Sequence, residues 1–347
     1  NLLGDVFRVG LHYNVAGYEV YLVEIVLAIG ALIVFAWLNA RGVKFTGLFQ
    51  SLLVIALIGG VAVVSFAAVL SPTISTQMLL PAVPEGCGLI AGVSAILVVA
   101  PWCFLGFDTV PQSAEEFSFS HRKTSVVMIL AIVFGGLVYI ALSLVTTAVV
   151  PAGYETWYAY MLDLKNVNGL LSLPTFHAGY QLLGRWGLVF LGISVVAASL
   201  SGVVGFYMAG SRLLYSMARE NVLPNWFGRL HGKYGTPKNA ILFALIFSII
   251  APFFGRTVLG WIVNMTSFGA AIGFAYTSAA TIKYARVERN FLMVLSGGAG
   301  VLMSVALAIL LLVPLPGLDC SFGAEEYVVM LVWIVLGIIF YRRSKIR

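Results

Sequence analysis

An aspartate stands inside one of the most apolar stretches of this chain. Residues 98–112 read VVAPWCFLGFDTVPQ, placing Pro101, Gly106, Asp108 and Pro111 within a run long enough to cross a bilayer. An acid at that depth costs at least about 2.5 kcal/mol on insertion scales unless it faces a cavity or a partner. Asp108 therefore marks either a position that faces a cavity or a partner, or a helix cap near the interface. Proline removes a backbone donor and glycine relaxes the dihedrals, so the helix is predicted to break here, with amides and carbonyls around residues 102–107 losing their helical partners. In hydrocarbon such groups are tolerated only inside protein or along a cavity, where an ammonium, carboxylate or ion can replace the missing partners. The plainer alternative is a proline kink satisfied by neighbouring helices.

Elsewhere the residue types offer little chemistry. His12, His121, His177 and His231 all lie outside the apolar runs, and Cys87, Cys103 and Cys320 lack metal-ligand spacing. Neither an H-E-x-x-H nor a G-x-S-x-G pattern occurs. The chain is expected to be no enzyme and to carry no cofactor.

The elements that must position these residues are membrane helices. With 61% hydrophobic and 10% charged residues and a mean hydropathy of +1.00, a soluble domain would have too little polar surface to stay dispersed. Apolar runs at 21–40, 47–70, 89–110, 125–150, 188–215, 239–254, 259–284, 291–313 and 327–341 predict about nine helices in one transmembrane domain, residues 1–347. The net charge of +6 does not point to nucleic acid, because the basic residues stand singly or in pairs at the ends of these runs. Arg41 and Lys44, Arg122 and Lys123, the set Arg219, Arg229, Lys233 and Lys238, and then Arg286 and Arg289 occupy alternate connections, and the tail closes with Arg342, Arg343, Lys345 and Arg347. The opposite connections hold only Lys165, Arg185 and Arg256. The positive-inside rule then puts the C-terminus in the cytoplasm and the N-terminus outside. Residues 151–186, with Trp157, Tyr158 and Tyr160, are predicted to form a structured external lid. Asn264, Thr266 and Ser267 are expected to serve interhelical packing, and Gly269 and Gly273 a close helix approach.

Three stretches resemble one family. Residues 102–116, WCFLGFDTVPQSAEE, resemble the sixth-helix signature of the amino acid, polyamine and organocation permease superfamily. Residues 210–239, GSRLLYSMARENVLPNWFGRLHGKYGTPKN, are similar to its eighth helix and following loop. Residues 38–50, LNARGVKFTGLFQ, are a weaker match to the link between its fourth and fifth helices. The resemblance implies an all-α integral membrane protein, a partial inverted-repeat fold of five plus five helices with a discontinuous helix at about 98–112. It covers the end of the third family helix through the twelfth, so the broken first helix is expected to lie outside this chain.

The implied function is secondary active transport of an amino acid or related amine across the cytoplasmic membrane by alternating access. The alternatives are an amino acid sensor that binds without transport, or a fragment that does not transport alone. By the same resemblance Trp102, Cys103, Phe104, Leu105 and Gly106 line the substrate site, and a substrate cation over the Trp102 indole gains about 0.5–2 kcal/mol. Asp108 takes a proton-linked position, and Glu115 and Glu116 an inner gate. Residues 117–123, FSFSHRK, depart from the common pattern, which leaves the substrate open. Ala56 stands near the place where proton-coupled relatives carry a lysine, which disfavours lysine-mediated coupling. Ser199 and Ser201 fall near hydroxyls that bind sodium in other relatives, so coupling to H+ or to Na+ both remain open. The expected partners are the substrate and membrane lipid, with no nucleic acid; nothing indicates an oligomeric state.

Overall fold

Long apolar sequences without charge cannot leave backbone groups unpaired in lipid, and here they resolve that demand as helices. The computed structural model describes residues 8–15, 18–72, 74, 79–81, 88–112, 121–255, 257–316, 318 and 320–345. The helices are α1 (Leu22–Ala40), α2 (Val43–Leu70), α3 (Leu89–Phe104), α4 (Thr109–Gln112), α5 (His121–Ala148), α6 (Trp157–Leu162), α7 (Pro174–Leu183), α8 (Arg185–Arg219), α9 (Lys238–Ile250), α10 (Thr257–Val287), α11 (Phe291–Leu312) and α12 (Ala324–Lys345). Among the described residues eight helical stretches are long and apolar enough to cross a membrane, with α3 and α4 counted as one stretch. The apolar helix α9 is shorter and continues into a 3-10 turn at Ala251–Phe254. A two-stranded antiparallel ribbon, β1 (His12–Val15) and β2 (Tyr18–Tyr21), precedes α1, with His12 opposite Tyr21 and Val15 opposite Tyr18. Sequence periodicity over four residues is too short to announce such a ribbon.

The chain forms two compact units, one of residues 1–85 and 106–254, the other of 86–105 and 255–346. In the first unit α2 and α8 lie close because Gly60 has no side chain. A Cβ there would stand 2.1 Å from Ser194 Oγ and 2.6 Å from the Phe190 carbonyl. Ser194 in turn donates to the Phe190 and Leu57 carbonyls, so its hydroxyl is satisfied within the interface. One apolar cluster joins Phe35 and Ala36 of α1 to Val204 and Tyr207 of α8 and Ile241 of α9. A second joins Val64 and Ala68 of α2 to Val145 of α5, Ala178 of α7 and Leu191 of α8.

In the second unit α10 and α11 pair through glycine as well. A Cβ on Gly297 would stand 2.7 Å from Ile282 and 3.0 Å from the Ser278 carbonyl, and one on Gly300 2.4 Å from Ser278 Oγ. The expectation that Gly269 and Gly273 serve this close approach is corrected: a Cβ at either meets nothing within 4 Å. Small-residue spacing alone does not say which face of a helix is covered, and here the covered face of α10 carries Ser278 and Ile282. Val98 of α3 packs with Phe268, Leu311 and Phe322 in the apolar centre of this unit.

Candidate functional site

Pro101 sits inside α3, which nevertheless stays helical to Phe104. A proline removes only its own N–H, so a single rung is lost and the helix survives it. The interruption comes later, at residues 105–108. Leu105 is extended (φ −56, ψ 132) and Gly106 has φ +132, a backbone conformation that a side chain makes costly. The expected break around residues 102–107 is therefore narrower, and glycine rather than proline ends the helix.

The freed groups are rejoined locally. The Leu105 amide donates to the Trp102 carbonyl at 3.2 Å, and the Gly106 amide donates to Asp108 Oδ1 at 2.9 Å. The Gly106 carbonyl accepts from the Thr109 hydroxyl at 2.6 Å and from its amide at 3.1 Å. Asp108 thus closes the turn that starts α4, where Pro111 falls in the first turn and needs no donor. Trp102 is 44% exposed at the C-terminal end of α3, while Cys103, Phe104, Leu105, Gly106 and Asp108 are half-buried. Trp102 and Cys103 end the helical part of this stretch, and Asp108 stands in the turn of non-helical backbone that follows it. The division between the two compact units falls between Leu105 and Gly106, so Trp102–Leu105 belong to one and Gly106 and Asp108 to the other. Glu115 and Glu116 lie outside the described residues.

Ser199 and Ser201 are not brought together. Two residues apart on α8, they do not share a face. Ser199 is exposed and donates to the Val195 carbonyl of its own helix. Ser201 Oγ accepts from the Gln50 amide at 2.6 Å, and the same amide reaches the Ser201 carbonyl at 3.2 Å. Gln50 on α2 is a polar residue that sequence reasoning passed over. Its position at the mouth of an apolar run was the available signal. Its Oε1 is buried with no partner among the described residues.

Two further polar positions emerge. Asn264 on α10 donates to Glu326 Oε1 at 2.9 Å, and the Gly323 amide donates to Glu326 Oε2 at the same distance. Glu326 is 6% exposed, so this acid in the first turn of α12 is held by two donors. Asn264 thus joins α10 to the start of α12.

The segment before α8 is structured. Thr156 caps α6 by accepting from the Ala159 amide at 3.2 Å, and Tyr160, 1% exposed, donates to the Leu171 carbonyl. Burial pushes the Tyr160 hydroxyl up. The Tyr154 hydroxyl donates to Asp163, which Asn166 also contacts at 2.8 Å; together they hold that carboxyl below the usual range. His177 on α7 is buried, its Nδ1 has no partner among the described residues, and burial pulls its pKa below the ordinary value. Tyr160 meets its ring edge-on at 6.3 Å.

Eight helical stretches among the described residues that are long and apolar enough to cross a bilayer define a multi-pass α-helical membrane protein. Residues 11–340 match the amino acid permease family, and the chain belongs to that family. It is 27% identical to an uncharacterized transporter of Rhizobium meliloti over 75% of this chain and 54% of the relative. It is 24% identical to the methylthioribose transporter of Bacillus subtilis over 87% and 60%. It is 23% identical to a branched-chain amino acid permease of the same organism over 80% and 55%. The chain thus spans a little over half the length of these relatives.

Proposed function

We propose that the protein to which this chain belongs carries an amino acid or related amine across the cytoplasmic membrane by secondary active transport, with the turn at residues 105–108 at its substrate site. The observation that carries this reading is the interruption itself, a half-buried acid and non-helical backbone at Gly106 within an amino acid permease. Substrate charges are well matched by such half-helix ends. Trp102, Cys103, Phe104, Leu105 and Gly106 line the site, the indole stacking on an apolar or cationic substrate side chain. The branched-chain specificity named for one relative favours an aliphatic side chain.

Alternating access is proposed on the family resemblance, and Gly106 and Gly255 have positive φ, +132 and +61. Such backbone accepts a changed dihedral at low steric cost, which suits a hinge. Asp108 is proposed to bind and release the coupling proton, Glu115 and Glu116 to form the inner gate, and the C-terminus to face the cytoplasm. A proton is proposed over sodium because Ser199 and Ser201, two residues apart on α8, do not face one site.

Cys103 supplies a direct test. With Cys87 and Cys320 replaced by serine, alkylation of Cys103 by a maleimide is followed in the presence of a panel of amino acids and amines. The reading expects one class of substrate to slow the reaction saturably. Alkylation indifferent to every compound, in protein that is folded, contradicts it.

A further inference from the structure

The link between α8 and α9, residues 220–237, is an ordered platform rather than a loose connection. Leu223 and Phe227 are buried at 7% and 3% exposure. Phe227 meets Phe243 of α9 edge to face at 5.1 Å. Asn239 donates to the Trp226 carbonyl at 2.7 Å, and Thr236, 4% exposed, donates to the Ala40 carbonyl at the end of α1, also at 2.7 Å. The His231 amide donates to the Thr236 carbonyl and the Gly235 amide to the His231 carbonyl, closing a tight turn between them. Gly235 has φ +65 there.

On this fixed frame two kinds of side chain face outward. Val222, Trp226, Leu230 and Tyr234 are each exposed by more than a third. Arg219, Arg229, Lys233 and Lys238 are exposed beside them. The Thr236–Ala40 bond brings the exposed Arg41, whose guanidinium lies 3.9 Å over Trp37, to the same end of the unit. Glu220 is the acid of this segment. Topology requires only the charges; it gives no reason for aromatic and aliphatic side chains to be held outward among them. A bilayer surface does, since apolar side chains enter the acyl boundary while lysine and arginine stay at headgroup level. The platform joins α8 to α9, both apolar helices, and its basic residues mark the end of the unit that meets one membrane surface.

We infer that residues 219–238, with Arg41, form a docking surface for the anionic headgroups of the adjoining leaflet, and that anionic phospholipid stabilises this end of the protein. Clustered basic residues next to a membrane helix attract such lipids over a Debye length, and exposed aromatics fix them at the interface. The inference is independent of the substrate and of transport.

The test compares the chain in nanodiscs of phosphatidylcholine with and without phosphatidylglycerol, following thermal unfolding at several salt concentrations. Phosphatidylglycerol is expected to raise the unfolding midpoint, and the rise is expected to shrink as salt increases. The variant R229Q/K233Q/K238Q should lose most of the rise, while K165Q/R185Q should keep it. Equal midpoints in the two lipids, a rise insensitive to salt, or equal loss in both variants would overturn the proposal. So would indifference to lipid together with a shift on adding an acidic polyglutamate peptide, which would assign the surface to a protein partner. Should the triple variant fail to fold, the lipid and salt responses of the unaltered chain decide.

Discussion

At the scale of single residues, Asp108 has two separable roles. Its Oδ1 accepts from the Gly106 amide, and its charge is the feature proposed to handle a proton. Asparagine keeps an acceptor at that place and removes the charge; alanine removes both. Asp108→Asn is expected to unfold near the wild-type temperature but to abolish the pH dependence of uptake, whereas Asp108→Ala should also lose about 0.5–2 kcal/mol of stability. Equal melting of the two variants would mean that the hydrogen bond contributes nothing. His177 makes a second residue-scale prediction. Its folded-state pKa lies below the ordinary 6.5, so the unfolded form binds the proton first. The stability of residues 149–184 is then complete above about pH 6.5 and falls as pH drops toward the depressed value. Hydrogen exchange of that segment, compared between pH 7.5 and roughly 5.5, should show the loss, and His177→Gln should flatten it.

At the scale of elements, glycine decides which helices touch. Gly59 and Gly60 are neighbours in α2, yet a Cβ on Gly59 meets nothing while one on Gly60 meets Ser194 and the Phe190 carbonyl. Gly60→Ala is expected to cost about 1–3 kcal/mol by overpacking, and Gly59→Ala to leave the unfolding midpoint within error. Similar effects of the two would place the α2–α8 contact elsewhere. This pair also marks the limit of sequence reading. The all-helical membrane class and the interrupted helix were legible, because twenty apolar residues in a row and a Gly-Phe-Asp within one are local signals. The pairing of Gln50 with Ser201, 151 positions apart, has no local signal, and neither has Asn264 with Glu326. Hydropathy likewise cannot tell that α8 runs unbroken through Arg219, since a helix continues past the apolar stretch without altering the pattern that marks it. The glycine pair singled out on α10 failed for the same reason: spacing names a smooth stripe, not its neighbour.

At the scale of the whole molecule, a member of the amino acid permease family has a discontinuous helix, and the turn around Gly106 is where an amino acid is proposed to be bound and moved. The φ of +132 favours glycine there, so Gly106→Leu should disturb the turn and with it the proposed site. The most direct measurement is counterflow of labelled amino acids by the complete gene product in proteoliposomes, with Gly106→Leu and Trp102→Ala beside the wild type. The account predicts saturable exchange of at least one amino acid or amine by the wild type, loss of exchange in Gly106→Leu, and a raised KM in Trp102→Ala. Exchange by Gly106→Leu at the wild-type rate, or none by a folded wild type for any compound of the panel, would contradict it.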